Sequence, residues 1–146
     1  MERTIRKSVE VRGIGFLSGR DVTLRFLPAA TGRGIEFQRT DCPGTPAIPA
    51  RVEFTVPRER RTAIERDGTP VEMIEHVMAA LAGLQIDNCR VELDGPEPPG
   101  MDGSSLAFTE ALLSVGAVEQ SARRRLLVCG PTSIGSAGRG DRRSVV

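Results

Sequence analysis

The sequence predicts an α+β fold: a two-layer sandwich, with a mostly antiparallel sheet carrying helices on one face. Two observations carry that expectation. Apolar residues alternate with a period of two in several short runs, and between these runs they switch to the i, i+3, i+4 spacing of a helix over Ile74, Val77, Met78, Leu81 and Leu84. At 146 residues the chain suits one domain with its own core and is too short for two ordinary ones.

The elements follow in order. Ile5, Val9 and Val11 mark a first strand, and "DVTLRFL" a second, with Val22, Leu24 and Phe26 inward while Thr23 and Arg25 face out. Between them "GIGFLSG" carries Gly13, Gly15 and Gly19, suited to a tight connection, so the two strands pair closely. Gly34 to Arg39 and Ile48 to Phe54 read as further strands. In "ERDGTPVE" the Asp-Gly pair predicts a turn, and Thr69-Pro70-Val71-Glu72 a capping box that starts a helix near residue 70. On that helix His76 shares a strip with Ala80 and Gly83, small enough for another element to pack over. "NCRVELDG" reads as a strand and "GPEPPGMDGSS" as a rigid, turn-rich loop. Ser104 or Ser105 then caps a second helix running through Leu106, Leu112 and Val115. "RRRLLVCGPTSI" suggests one last strand, and the small, Arg-rich "GSAGRGDRRSVV" a tail. The division expected is a folded domain over 1–128, followed by 129–146 as a flexible tail or the start of a further domain.

Composition excludes more than it names. Twenty Lys and Arg against nineteen Asp and Glu leave a formal charge of +1, so no global field draws the chain to nucleic acid or to an acidic membrane. With neither Trp nor Tyr there is no stacking platform for bases, and no nucleic-acid partner is expected. The arginines of "RERRTAIER" and of Arg123 to Arg125 have the chemistry to grip phosphate, but solvated faces account for them as well. Cys42, Cys89 and Cys129 are odd in number and form no C-x-x-C pair, which argues against a disulfide framework and for a reducing compartment. "MERTIRKSVEVRG" has no continuous apolar run, so neither signal peptide nor membrane anchor is expected, and the location expected is cytoplasmic.

His76 is the only histidine, directly after Glu75. A catalytic zinc needs three protein ligands and an open position, which one imidazole does not supply, and Glu75-His76 does not fit H-E-x-x-H. Taken alone, the pair reads as one that caps, solvates or packs.

Four segments together change that reading: "GIGFLSGRDVTLRFLPA", "FQRTD", "IEHVMAALAGLQIDN" and "PEPPGMDGSSLAF". In order and spacing they resemble the zinc-dependent UDP-3-O-acyl-N-acetylglucosamine deacetylases of lipid A biosynthesis, over residues 3 to about 118. The resemblance implies that His76 is a zinc ligand and Glu75 the general base that activates water. It also implies two similar α+β domains facing each other across the site, of which this chain matches the first. The other ligands, a histidine and an aspartate of an H-x-x-x-D helix, would come from the second, with a lysine and a further histidine. Two positions depart from the family pattern and bear on substrate binding: Leu17 stands where a histidine is usual, and Met73 where a threonine is usual. The implied substrate is UDP-3-O-acyl-N-acetylglucosamine, and the implied partner is the second domain or a homologous half. The expectation is therefore the amino-terminal half of a deacetylase, inactive alone and prone to self-association. A non-catalytic binding or assembly module, and a half-enzyme completed in trans, are the alternatives.

Overall fold

The computed structural model describes residues 1–125, Gly130 and the backbone of two short strands at 132–134 and 143–145. The central layer is a five-stranded mixed sheet. Its members are β2 (Val9–Ile14), β3 (Asp21–Pro28), β4 (Ile35–Arg39), β5 (Ile48–Pro49) and β9 (Cys89–Leu93), in the order β2-β3-β9-β4-β5. All neighbours are antiparallel except β4 and β9, so the sheet is mostly antiparallel, as the alternation predicts. A short β1 (Arg3–Ile5) pairs with β10 (Ala117–Glu119), and β6 (Thr55–Val56), β7 (Ala63–Arg66) and β8 (Thr69–Glu72) form a separate three-stranded sheet. Two helices, α1 (Glu75–Gly83) and α2 (Leu106–Val115), complete the α+β sandwich. Strands β11 (Thr132–Ile134) and β12 (Arg143–Val145) pair antiparallel. The expected boundary at residue 128 and Cys129 lie outside the described residues.

One core joins the layers. Val22, Leu24 and Phe26 of β3, Phe37 of β4 and Val91 and Leu93 of β9 are buried with Val77 and Leu81 of α1 and Phe108 and Leu112 of α2. Phe26 meets Phe108 edge-on, ring centroids 6.3 Å apart at 76°, a geometry that aligns the ring quadrupoles favourably. The β2–β3 hairpin has the inward and outward residues the period-two pattern assigns, with Val11 opposite Leu24 and Arg12 opposite Thr23.

Three local expectations are corrected. The first strand breaks between Ile5 and Val9, because its start pairs with β10 and its continuation with β3. The strand expected to run from Ile48 stops at Pro49, which has no N–H to extend a ladder. A 3-10 turn over Val52–Phe54 replaces it and leaves Val52 78% exposed. The largest correction concerns Thr69 to Glu72, which form strand β8 and cap no helix. Asp67 and Gly68, at φ 50° and 75°, turn the chain back so that Thr69 faces Arg66 and Glu72 faces Ala63. The Asp-Gly hairpin signal outweighs the capping signature, and the helix begins at Glu75. Ala80, on the strip with His76 where small residues leave room for another element, is buried in the core, in keeping with the packing of α2 against α1.

Candidate active site

Met73 directs the chain from strand to helix. At φ 55° it occupies the left-handed region, which is costly for a side-chain-bearing residue. The turn is framed by hydrogen bonds, with the amide of Glu72 donating to Pro96 O at 2.8 Å and that of Ile74 to Thr62 O at 3.4 Å. It delivers Glu75 and His76 into the first turn of α1, where an acidic residue also suits the helix dipole.

His76 is half-buried and lines a pocket of about 160 Å³. The other walls are Met73, Phe16 of the glycine loop, Pro98 to Gly100 and Gly103 of the proline loop, and Phe108 of α2. The lining is apolar except for the imidazole. Glu75 is engaged on one side only: Oε1 accepts the amide N–H of Thr62, while Oε2 is buried with no partner among the described residues. A carboxylate oxygen taken from water without a hydrogen bond is costly, so this atom is available to a proton or a donor that reaches it.

Asp102 is exposed in the turn before α2. Its carboxyl is held below the usual carboxylate range first by the Ser104 hydroxyl and amide, with His76 adding a smaller attraction. Ser104 donates to Asp102 Oδ1 from Oγ at 2.8 Å and from its amide at 3.0 Å, and its Oγ accepts the Leu106 amide at 3.1 Å. Of the two serines expected to cap α2, Ser104 therefore makes the contact, while Ser105 makes no side-chain cap bond.

The structure brings together three of the four residues singled out in the sequence. Glu75, His76 and Met73 are clustered at the entry to α1, and Met73 and His76 share the pocket. Leu17 is not among the pocket's lining residues; it is 50% exposed, and its neighbour Phe16 forms the wall instead. Sequence reasoning missed Glu97, which is 1% exposed and binds the glycine loop, and gave Asp102 no role. An acid flanked by Pro96 and Pro98 was the available signal, and it is easily passed over because an acid in a turn-rich loop is ordinarily solvated.

Among the described residues no three His, Cys, Asp or Glu side chains come together in a group able to hold a metal ion. The donors fit one corner of a zinc site: a half-buried imidazole lining a pocket, preceded in the chain by a glutamate whose Oε2 lacks a partner. Most of the arginines considered as phosphate grips are engaged in ion pairs. Arg58 and Arg61 both hold Glu72, at 3.0 and 2.7 Å, and Arg124 holds Asp87 at 2.7 Å. Arg66 donates to Ala47 O and lies 5.9 Å from the Phe54 ring centroid.

Fold and pocket thus define an α+β sandwich domain that presents His76, directly after Glu75 in the first turn of α1, at an apolar pocket. The model of the UDP-3-O-acyl N-acetylglycosamine deacetylase family, LpxC, matches residues 2–139, and the chain belongs to that family. It is 49% identical over 127 residues to the UDP-3-O-acyl-N-acetylglucosamine deacetylase of Myxococcus xanthus, covering 87% of this chain and 40% of the relative. It is 47% identical over 131 residues to the bifunctional enzyme LpxC/FabZ of Chlorobaculum tepidum, covering 90% of this chain and 28% of the relative. The deacetylase of Bdellovibrio bacteriovorus is 45% identical over 125 residues, 86% of this chain and 41% of its own length. The chain therefore spans well under half the length of these relatives. No helix among the described residues is long and apolar enough to cross a membrane.

Proposed function

We propose that this chain is the amino-terminal half of a zinc-dependent deacetylase that removes the N-acetyl group of UDP-3-O-acyl-N-acetylglucosamine, in lipid A biosynthesis and in the cytoplasm. The observation that carries the reading is the pairing, in a chain of this family, of a pocket-facing His76 with a Glu75 whose Oε2 is buried and unpartnered. His76 would donate one ring nitrogen to zinc, and the remaining ligands would come from the second half of the enzyme. The chemistry zinc would supply when bound is Lewis-acid activation of water near neutral pH. Glu75 Oε2 accepts the proton of the attacking water, while Oε1 stays fixed on the Thr62 amide and orients the carboxylate. The apolar walls of the pocket exclude bulk water and so strengthen each polar contact inside it.

Exposed apolar side chains support a covering partner. Phe16, Leu17, Met101 and Leu106 all lie on or beside the segments that build the pocket. In the reading proposed, the second half of the enzyme covers them, and in its absence the chain pairs with a second copy of itself.

The test combines this chain with the complementary carboxy-terminal part of the Myxococcus xanthus relative and measures bound zinc, deacetylation rate and melting temperature. His76→Ala should lose zinc and turnover together. Glu75→Gln should keep zinc and lose about 10²–10⁴-fold in turnover, because its amide oxygen still accepts the Thr62 N–H but takes up no proton. Near-normal turnover in Glu75→Gln would remove Glu75 as the base, and a large fall in melting temperature in both variants would make the pair structural.

A further inference from the structure

The glycine loop between β2 and β3 is built without a core of its own. Phe16 and Leu17 at its tip are 73% and 50% exposed, so burial does not fix where they point. Its own backbone supplies two closures, the Gly15 amide to Arg20 O at 2.8 Å and the Gly19 amide to Gly15 O at 3.0 Å. Among the described residues, the side chain from outside the loop that binds the tip's amides is Glu97. The Leu17 amide lies 3.0 Å from both Glu97 oxygens, and the Ser18 amide donates to Oε1 at 2.6 Å.

Glu97 is suited to this task. It is almost wholly buried, and a carboxylate taken out of water is tolerated only when hydrogen bonds replace its hydration. Here the replacements are backbone amides of the loop. The fit is close: a Cβ on Gly15 would come within 2.7 Å of Glu97 Oε1 and 2.5 Å of Ser18 Oγ, so a side chain there would push the carboxylate or the hydroxyl aside. The proline segment that carries Glu97 is anchored in turn. Pro96 O accepts the Glu72 amide at 2.8 Å, one residue before Met73, and Gly100 donates to Ile14 O at 2.8 Å.

We propose that Glu97 is a positioning residue that sets the Phe16 wall of the pocket relative to His76. The continuous path runs from the entry of α1 through Glu72 and Pro96 to Glu97, and from its carboxylate to Leu17 and Ser18. Phe16, immediately before the clamped amides, lines the pocket with His76, and its backbone rests against Gly100, where a Cβ would meet Phe16 Cβ at 3.2 Å. The proposal rests on the pocket being the substrate site, but the clamp itself is measurable apart from any activity.

Amide hydrogen exchange in this chain, followed by NMR for wild type and Glu97→Gln, tests it. The amide replacement halves the acceptor capacity and aims an NH₂ at an N–H, so exchange at Leu17 and Ser18 should rise at least about tenfold. The amides of Leu24, Phe26 and Val91 should be unchanged. Unchanged exchange at Leu17 and Ser18 would overturn the clamp, and a uniform rise across the core would reduce Glu97 to a stability residue. If Glu97→Gln does not fold, Glu97→Asp, which keeps the charge one methylene short, is read by the same two criteria. In the combined enzyme of the preceding test, Glu97→Gln should raise KM more than it lowers kcat. A fall in kcat alone would overturn the positioning role, and loss of the exchange effect would do so whether or not the enzyme deacetylates.

Discussion

Phe26 and Phe16 are the same side chain under opposite rules. Phe26 is fully buried between sheet and helices and meets Phe108 edge-on, whereas Phe16 is mostly exposed and borders the His76 pocket. Around Phe26 the chain is held by apolar contact, which is non-directional and sums over many neighbours. Around Phe16 it is held by a few directed bonds from backbone amides to Glu97. The difference teaches where each kind of error is felt. A core defect spreads into stability, while a defect in the loop moves the pocket and leaves the fold standing.

Phe26→Ala removes a fully buried ring and should cost about 3–5 kcal/mol, enough to unfold a marginal domain. Phe16→Ala should stay within about 0.5 kcal/mol of wild type. Urea unfolding monitored by circular dichroism measures both. A loss of more than about 2 kcal/mol in Phe16→Ala would mean that the loop is part of the core after all.

The same contrast governs what could be read from the sequence. Period-two alternation reports which side chains lose water, so β3 and β9 and the inward places of Val22, Leu24 and Phe26 were legible. The edge at Ile48 to Phe54 was not, because a ladder also needs donors and Pro49 supplies none. Thr69 to Glu72 held two local signals, and the hairpin prevailed because strand β7 was there to pair with. Glu75 and His76 stand out as candidates only through the resemblance: an adjacent acid and imidazole carry no signal of their own until their neighbours are known. Glu97 stayed hidden since its partners, Leu17 and Ser18, are 80 and 79 residues away in the chain.

A polar link inside the folded layer gives a second, smaller effect. Arg39 is largely buried, and its Nε and Nη2 donate to the two Asp41 oxygens at 2.7 Å each, with Nη1 donating to Pro70 O at 2.9 Å. The Arg39 hydrogen bonds hold the Asp41 carboxyl below its ordinary value. Because the folded value is the lower one, the stabilisation is present above the unfolded pKa of about 3.9 and is lost as pH falls through the folded value. Asp41→Asn should therefore cost about 1–3 kcal/mol at neutral pH. The gap in melting temperature between wild type and variant should hold down to about pH 5 and narrow below the carboxylate range. A gap that stays constant into strong acid would show that the carboxylate's charge is not what holds Arg39.

The smallest effect changes no stability and separates the two regions by reactivity. Cys89 opens β9, opposite Pro28 on one side and Ile35 on the other, and is fully buried. Burial pushes its thiol up to about 12, and Sγ donates to Leu27 O at 3.4 Å. Since the thiolate is the nucleophile, only about one such thiol in ten thousand is ionised at about pH 8. Cys42 lies half-exposed in the turn after Arg39, where reagent reaches it without opening the sheet. Brief alkylation of the native chain with iodoacetamide, followed by peptide mass mapping, should label Cys42 and leave Cys89 unmodified until denaturant is added. Equal labelling of the two under native conditions would mean that β9 separates from β3 and β4 far more often than its buried position at the centre of the sheet allows, and the contrast between a packed core and a bond-held rim would fail at the sheet's central strand.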